Sequence, residues 1–128
     1  MDLLLDTHAL LWFALGDSQL SATANSLIRD PANRVFVSPA SYWEIAIKMS
    51  KGKYLLHVPH ATFFEGAIAN NGFGVLHIEP RHTEVIVTLV HHHNDPFDRI
   101  LIAQAIAEGM SILSGDPAFD AYPITRLW

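Results

Sequence analysis

Apolar residues recur along the chain in two distinct patterns. Four short runs, residues 3–5 (LLL), 35–37 (VFV), 75–78 (VLHI) and 112–113 (IL), lack the strict alternation of a half-exposed strand. They predict strands buried on both faces. Between them lie longer segments with apolar residues at helical spacing: 21–29, 39–51, 59–69, 80–90 and 96–108. Gly52, Gly72 and Gly109 follow three of these segments, where a helix C-cap favours glycine. Strands alternating with helices predict an α/β fold, a central parallel sheet of four to five short strands flanked by helices on both faces. The closing ITRLW would supply the fifth strand, at an edge.

The segment 96–108 is apolar nearly all round, since Phe97, Ile100, Leu101, Ile102, Ala103, Ala105 and Ile106 leave almost no direction for water. Such a helix belongs inside a protein, yet Asp98 sits in its first turn. In open α/β sheets, reactive groups collect beyond the carboxyl ends of the strands. The first run is followed by Asp6, the second by Ser38 and a helix bearing Glu44, and the fourth by Ser114, Gly115 and Asp116. Three strand ends thus deliver acids to one edge of the sheet. The Asp98 helix starts beside them if the loop before it returns there.

Each acid alone has a structural use. Asp95-Pro96-Phe97-Asp98 is a capping pattern with Asp95 as N-cap, and Asp116-Pro117 repeats the cap. Ser41 to Glu44 has the spacing of a capping box, and Glu44 with Lys48 forms an i,i+4 pair. Taken together the acids point elsewhere. Carboxylates in apolar surroundings are costly unless a cation or donors satisfy them. No basic residue closely follows the first strand, and Arg99 points about 100° away from Asp98. A divalent cation would satisfy several acids at once. Oxygen ligands without cysteine or a spaced histidine pair favour Mg²⁺ or Mn²⁺ over Zn²⁺.

Composition narrows the classes further. At 128 residues the length fits one domain spanning 1–128. Half the residues are hydrophobic and 16% are charged, which excludes a disordered tail. No apolar run nears the roughly 20 residues of a membrane span, and no signal peptide is evident, so a cytoplasmic protein is expected. With no cysteine there is no disulfide framework. The net charge of −5 is unusual for a nucleic-acid partner, although bound metal would invert the local sign.

Four stretches in this order, LLLDTHALLW, SPASYWEIAIK, HHHNDPFDRILIAQA and ILSGDPAFDAYP, resemble the PIN-domain ribonucleases, of the kind found as VapC toxins in toxin–antitoxin pairs. The resemblance runs from the first strand to Tyr122; residues 53–88 carry no matching motif. It implies an endoribonuclease whose acid quartet binds one or two Mg²⁺ or Mn²⁺ ions. By position the quartet is Asp6, Glu44, Asp98 and Asp116, with a serine, Ser114, where the family often has threonine. Asp95 is shared by the "DPFDR" branch and serves as the helix cap, while Asp120 lies further along its loop. The resemblance also implies an RNA substrate, a small antitoxin protein as partner, and a homodimer. RNA would meet Lys48, Lys51 and Ser114, with Lys53 nearby, although the lysines equally suit a solvated helix end.

His91, His92 and His93 point in different directions on any regular backbone, which predicts a solvent-facing loop rather than a zinc site. His8, beside Asp6, would orient a water or a phosphate, or be a satisfied structural histidine. Trp12, Phe13, Tyr42 and Trp43 are expected in the core or at a dimer contact rather than stacked on bases. Two other classes compete. A degenerate member of the fold would bind RNA or protein without cutting, but all four acids are present. A phosphomonoester hydrolase would need an aspartyl-nucleophile motif or a phosphate loop, and the chain has neither.

Overall fold

The structure is a computed structural model that describes residues 1–128. Its frame is a five-stranded, all-parallel sheet in the order β3-β2-β1-β4-β5. The strands are β1 (Asp2–Leu5), β2 (Arg34–Val37), β3 (Gly74–Val75), β4 (Ser111–Leu113) and β5 (Arg126–Leu127). Six helices connect them: α1 (Thr7–Leu15), α2 (Ala22–Arg29), α3 (Pro39–Ser50), α4 (His60–Asn71), α5 (Pro80–Val87) and α6 (Pro96–Glu108). A 3₁₀ turn, Pro117–Ala121, follows β4. No helix is long and apolar enough to cross a membrane.

The period-2 geometry of β1 divides the core between the two faces of the sheet. Leu3 and Leu5 point toward α1–α4, where they pack with Leu10, Ile28, Ile45 and Phe64. Leu4 points the other way, toward Leu101, Ile102 and Ile112, with Val85 and Ile86 of α5 beyond. A central strand with large apolar side chains on both faces has no solvent side, which explains the unbroken LLL run. Leu4 pairs with Phe36 on one side and Ile112 on the other.

Chain order creates the crevice. From β1 the chain moves outward through β2 and β3, then crosses back to place β4 on the other side of β1. Loops leaving β1 and β4 therefore diverge at their carboxyl ends, the place where open parallel sheets bind ligands.

Local chemistry accounts for the departures from the expected elements. Helix α1 lies in a stretch that the apolar spacing had not marked as helical. It begins immediately after β1, with Asp6 Oδ1 accepting from Ala9 N at 2.7 Å, and ends at Gly16, whose φ of 66° suits glycine. β3 stops at Val75 rather than continuing to 78. Leu76 N still donates to Val37 O, but Leu76 O accepts from the Gln104 side chain of α6, and the strand pairing ends. α5 ends at Val87, not 90, and the Leu89 and Val90 carbonyls beyond it accept from Arg99. The expected capping box at Ser41 is absent. α3 starts at Pro39 with Ser38 as N-cap, and Ser41 lies buried inside the helix.

Candidate active site

Five elements bring their polar residues to the carboxyl edge of β1 and β4. Asp6 is the first residue beyond β1, tied to β4 by its own N–H, which donates to Leu113 O at 3.1 Å. Ser114, the first residue beyond β4, is fully buried; its hydroxyl donates to the Asp6 carboxylate and accepts from Asp116 N at 3.0 Å. One serine thereby fixes two of the acids. From α1, Thr7 Oγ1 donates to Glu44 Oε1 at 2.8 Å, and Ser41 Oγ lies 3.1 Å from the same threonine oxygen. Glu44 is buried and turned toward α1, and its second oxygen accepts from Lys48 Nζ at 2.7 Å.

The fourth acid comes with a histidine. Asp95 caps α6, its Oδ1 accepting from Phe97 N and Asp98 N, and this sets Asp98 at the third helical position. His93 Nδ1 accepts from Asp95 N at 3.3 Å, which leaves the hydrogen on Nε2. That nitrogen donates to Asp98 Oδ2 at 2.8 Å and lies 4.0 Å from Asp116 Oδ2. His93, Asp98 and Asp116 present ligand atoms all within 4.8 Å of one another.

A family model for the PIN domain matches residues 3–124, nearly the whole chain. The chain belongs to the PIN-domain family. Solved structures similar to this PIN domain include VapBC2 from Rickettsia felis bound to a DNA fragment from their promoter. That match has a TM-score of 0.67 and 13% identity, and covers 99% of this chain and 98% of that one. FitAcB from Neisseria gonorrhoeae has a TM-score of 0.68, 14% identity and coverage of 98% and 96%. VapBC-1 from nontypeable Haemophilus influenzae has a TM-score of 0.64, 13% identity and coverage of 99% and 97%. At these identities the likeness is one of fold. Among curated protein sequences none matches this chain.

The electrostatics of this PIN domain show what the acids cost one another. Burial, then the charge of Asp95, with further contributions from Glu44 and Asp6, raises the Asp98 pKa to about 7, against the opposing pull of His93. Asp6 is raised as well, chiefly by burial and slightly by Asp116, although Ser114 and the Ala9 N–H hold it back. Carboxylates that resist ionisation in a cleft lack a positive partner. With the hydrogen of His93 on Nε2, the ligand atoms on offer are carboxylate oxygens, a set that suits Mg²⁺ or Mn²⁺. The residues present therefore fit a divalent cation.

Some expectations need correction. His93 is no solvent-facing loop residue; its side chain is only 19% exposed and sits over the acids. Ser114, expected to meet RNA, is inaccessible and instead positions Asp6 and Asp116. Lys48 is held by Glu44, while Lys51 and Lys53 are exposed at and beyond the end of α3. Asp120 turns away from the acids and pairs with Arg126 at 2.9 Å. Phe13 and Tyr42 pack against the core as expected; Trp43 is 61% exposed and meets Phe97 edge-on, so of its two expected places only the core is excluded.

Arg99 is the functional-site residue hardest to find from sequence. It is buried and makes no ion pair; Nη1 donates to Val90 O and His93 O, and Nη2 to Leu89 O, at 3.0–3.2 Å. Tyr122 joins it, accepting from His93 N and donating to Val90 O. Together they fold the histidine loop back over the first turn of α6.

Proposed function

We propose that this PIN domain is a cytoplasmic endoribonuclease that requires Mg²⁺ or Mn²⁺, and that it is the toxin of a toxin–antitoxin pair. The observation carrying this reading is the grouping of His93, Asp98 and Asp116 within 4.8 Å of one another at the β1/β4 crevice, with Asp6 and Glu44 outside that group but near enough to add to the burial and repulsion that push Asp98 to about 7. Asp6, Glu44, Asp98 and Asp116 would hold the cation. When bound, it would activate a water for attack on a phosphodiester and neutralise the charge building on the phosphate. The chain's own residues prepare that place. Ser114 and Thr7 orient Asp6 and Glu44, Asp95 fixes the height of Asp98, and His93 supplies a hydrogen-bond donor beside Asp98. Membership of the PIN family and the fold shared with VapBC and FitAB complexes support the toxin assignment. A small antitoxin protein and a second copy of this chain complete the proposed set of partners.

The test is cleavage of single-stranded RNA by purified protein freed of any partner. Cutting should appear with Mg²⁺ or Mn²⁺ and stop with EDTA. Asp6→Asn, Glu44→Gln and Asp98→Asn should each lower the rate on the order of 10²-fold or more, and Asp116→Asn, half-exposed on its loop, by less. Full activity in Glu44→Gln would reduce Glu44 to a partner of Thr7 and Lys48. In a bacterial host, expression without a partner should halt growth, and Asp98→Asn should relieve it. Equal slowing by both proteins would overturn the toxin assignment.

A further inference from the structure

Next to the acids lies a feature that holding a metal ion leaves unused. An open pocket of about 380 Å³ adjoins Asp6 and Asp116, and its remaining wall is largely aromatic. Trp12, from α1, packs against both His8 and Trp128, and all three line the pocket. Its ring centroid is 5.3 Å from the imidazole at 35° and 5.9 Å from the second indole at 58°. Gly115 admits Trp128 to this place, since a Cβ there would stand 3.0 Å from Trp128 Cε2. Gln19, exposed at the rim, spends only its Nε2 on Asp17, at a long 3.4 Å. Its amide oxygen has no protein partner. The pocket thus has an apolar wall, a polar rim and two acids of the crevice on one side.

We infer that this pocket takes one base of a single-stranded RNA, the nucleotide adjoining the phosphate that the acids address. The inference rests on the ribonuclease reading above and names how that site grips its substrate. Indole faces stack on any base, and sequence-tolerant binding of single strands uses such platforms beside a phosphate site. The Gln19 amide offers a donor and an acceptor to a base edge, which gives the pocket a means of preference. Because Asp6 and Asp116 belong to both places, a base here is covalently within reach of a phosphate at the acids. A guanidinium would suit an indole beside carboxylates, but its attraction falls once a divalent cation neutralises Asp6 and Asp116, whereas stacking persists.

The experiment measures kcat and KM with Mg²⁺ on short single-stranded oligoribonucleotides carrying one abasic ribose at each position in turn. For wild type, loss of the base at one position beside the cut should lower kcat/KM at least about fivefold, the low end for a stacked base. Trp12→Ala should show the same loss with the intact RNA and little further loss on the abasic one, while Trp12→Phe keeps most of the wild-type rate. Gln19→Ala should alter the preference among the four bases, lowering kcat/KM on the favoured base more than on the others. Equal abasic penalties in wild type and Trp12→Ala, or an unchanged preference in Gln19→Ala, would overturn the inference while leaving the ribonuclease reading intact. The aromatic group would then be a clasp that closes the β5 edge. Tryptophan quenching by arginine amide in Mg²⁺ that an RNA hexamer fails to produce would overturn it in favour of a cationic peptide. If wild type cuts no RNA with either metal, the ribonuclease reading falls and the pocket assignment with it.

Discussion

Asp98 is held where its charge is disfavoured, and that has a measurable consequence for stability. Its carboxyl titrates at about 7 in the folded chain against an ordinary 3.8, so the native state keeps a proton that the unfolded chain releases between those values. The contribution of Asp98 to the stability of the metal-free protein therefore falls as pH rises from about 4 to about 7. Asp98→Asn removes the titrating group at nearly constant shape. In EDTA the variant should melt above wild type at pH 7.5 and close to it at pH 4; a variant that melts lower at pH 7.5 would make the helix-dipole interaction of Asp98 the dominant effect. His93 acts in the opposite sense, since it donates to this carboxyl. His93→Ala should cost the metal-free protein about 1–3 kcal/mol at neutral pH, read from urea unfolding. Asp98 was legible in the sequence because a carboxylate interrupts a helix with no solvent face. His93 was not, because three consecutive histidines look alike until a tertiary contact chooses one. The capped turn NDP was the available signal: a residue two before an N-cap lies beside the first helical turn, where Asp98 stands.

At the level of elements, the histidine loop is held by groups from two other parts of the chain. The carbonyls of Leu89, Val90 and His93 follow α5 and have no helical partners; Arg99 and Tyr122 satisfy them from α6 and the segment after the 3₁₀ turn. Lysine cannot reproduce a planar guanidinium that spans three acceptors. Arg99→Lys should leave the part-buried Leu89 and His93 carbonyls without their donor and cost about 1–3 kcal/mol in urea unfolding. It should also lower RNA cleavage, because His93 loses its fixed place; unchanged cleavage together with lost stability would separate the loop from the chemistry. Such a buried, carbonyl-bound arginine leaves no trace in sequence spacing. Helix α1 was obscured for a related reason. HALLWFAL has apolar residues in nearly every direction, so no polar stripe announces a helical period, and the run merges with the preceding strand. α6 is equally apolar but is bounded by Asp95-Pro96 and Gly109, and those punctuation residues made its limits readable.

Across the whole molecule, the order of strands and the chemistry of the crevice meet in one measurable quantity, the affinity for metal. The alternation of strands and helices predicted the parallel sheet, and the acids after β1, β2 and β4 predicted which edge matters. The crossing from β3 back to β4, which brings Asp6 and Asp116 side by side, is a tertiary choice that spacing along the chain does not encode. Once assembled, Asp98 holds a proton at about 7, and a cation must displace that proton to use the carboxylate. Mg²⁺ should therefore bind more weakly at pH 6 than at pH 8. At a hundredfold excess over its dissociation constant it should add about 2.7 kcal/mol to wild-type stability. Titration calorimetry at the two pH values checks both the affinity and the proton released, which should approach one per site at pH 6 and fall toward zero at pH 8. Asp98→Asn should bind Mg²⁺ far more weakly and release little proton at either pH. A wild-type affinity that does not change between pH 6 and 8 would mean that Asp98 stands beside the metal site without contributing a ligand to it.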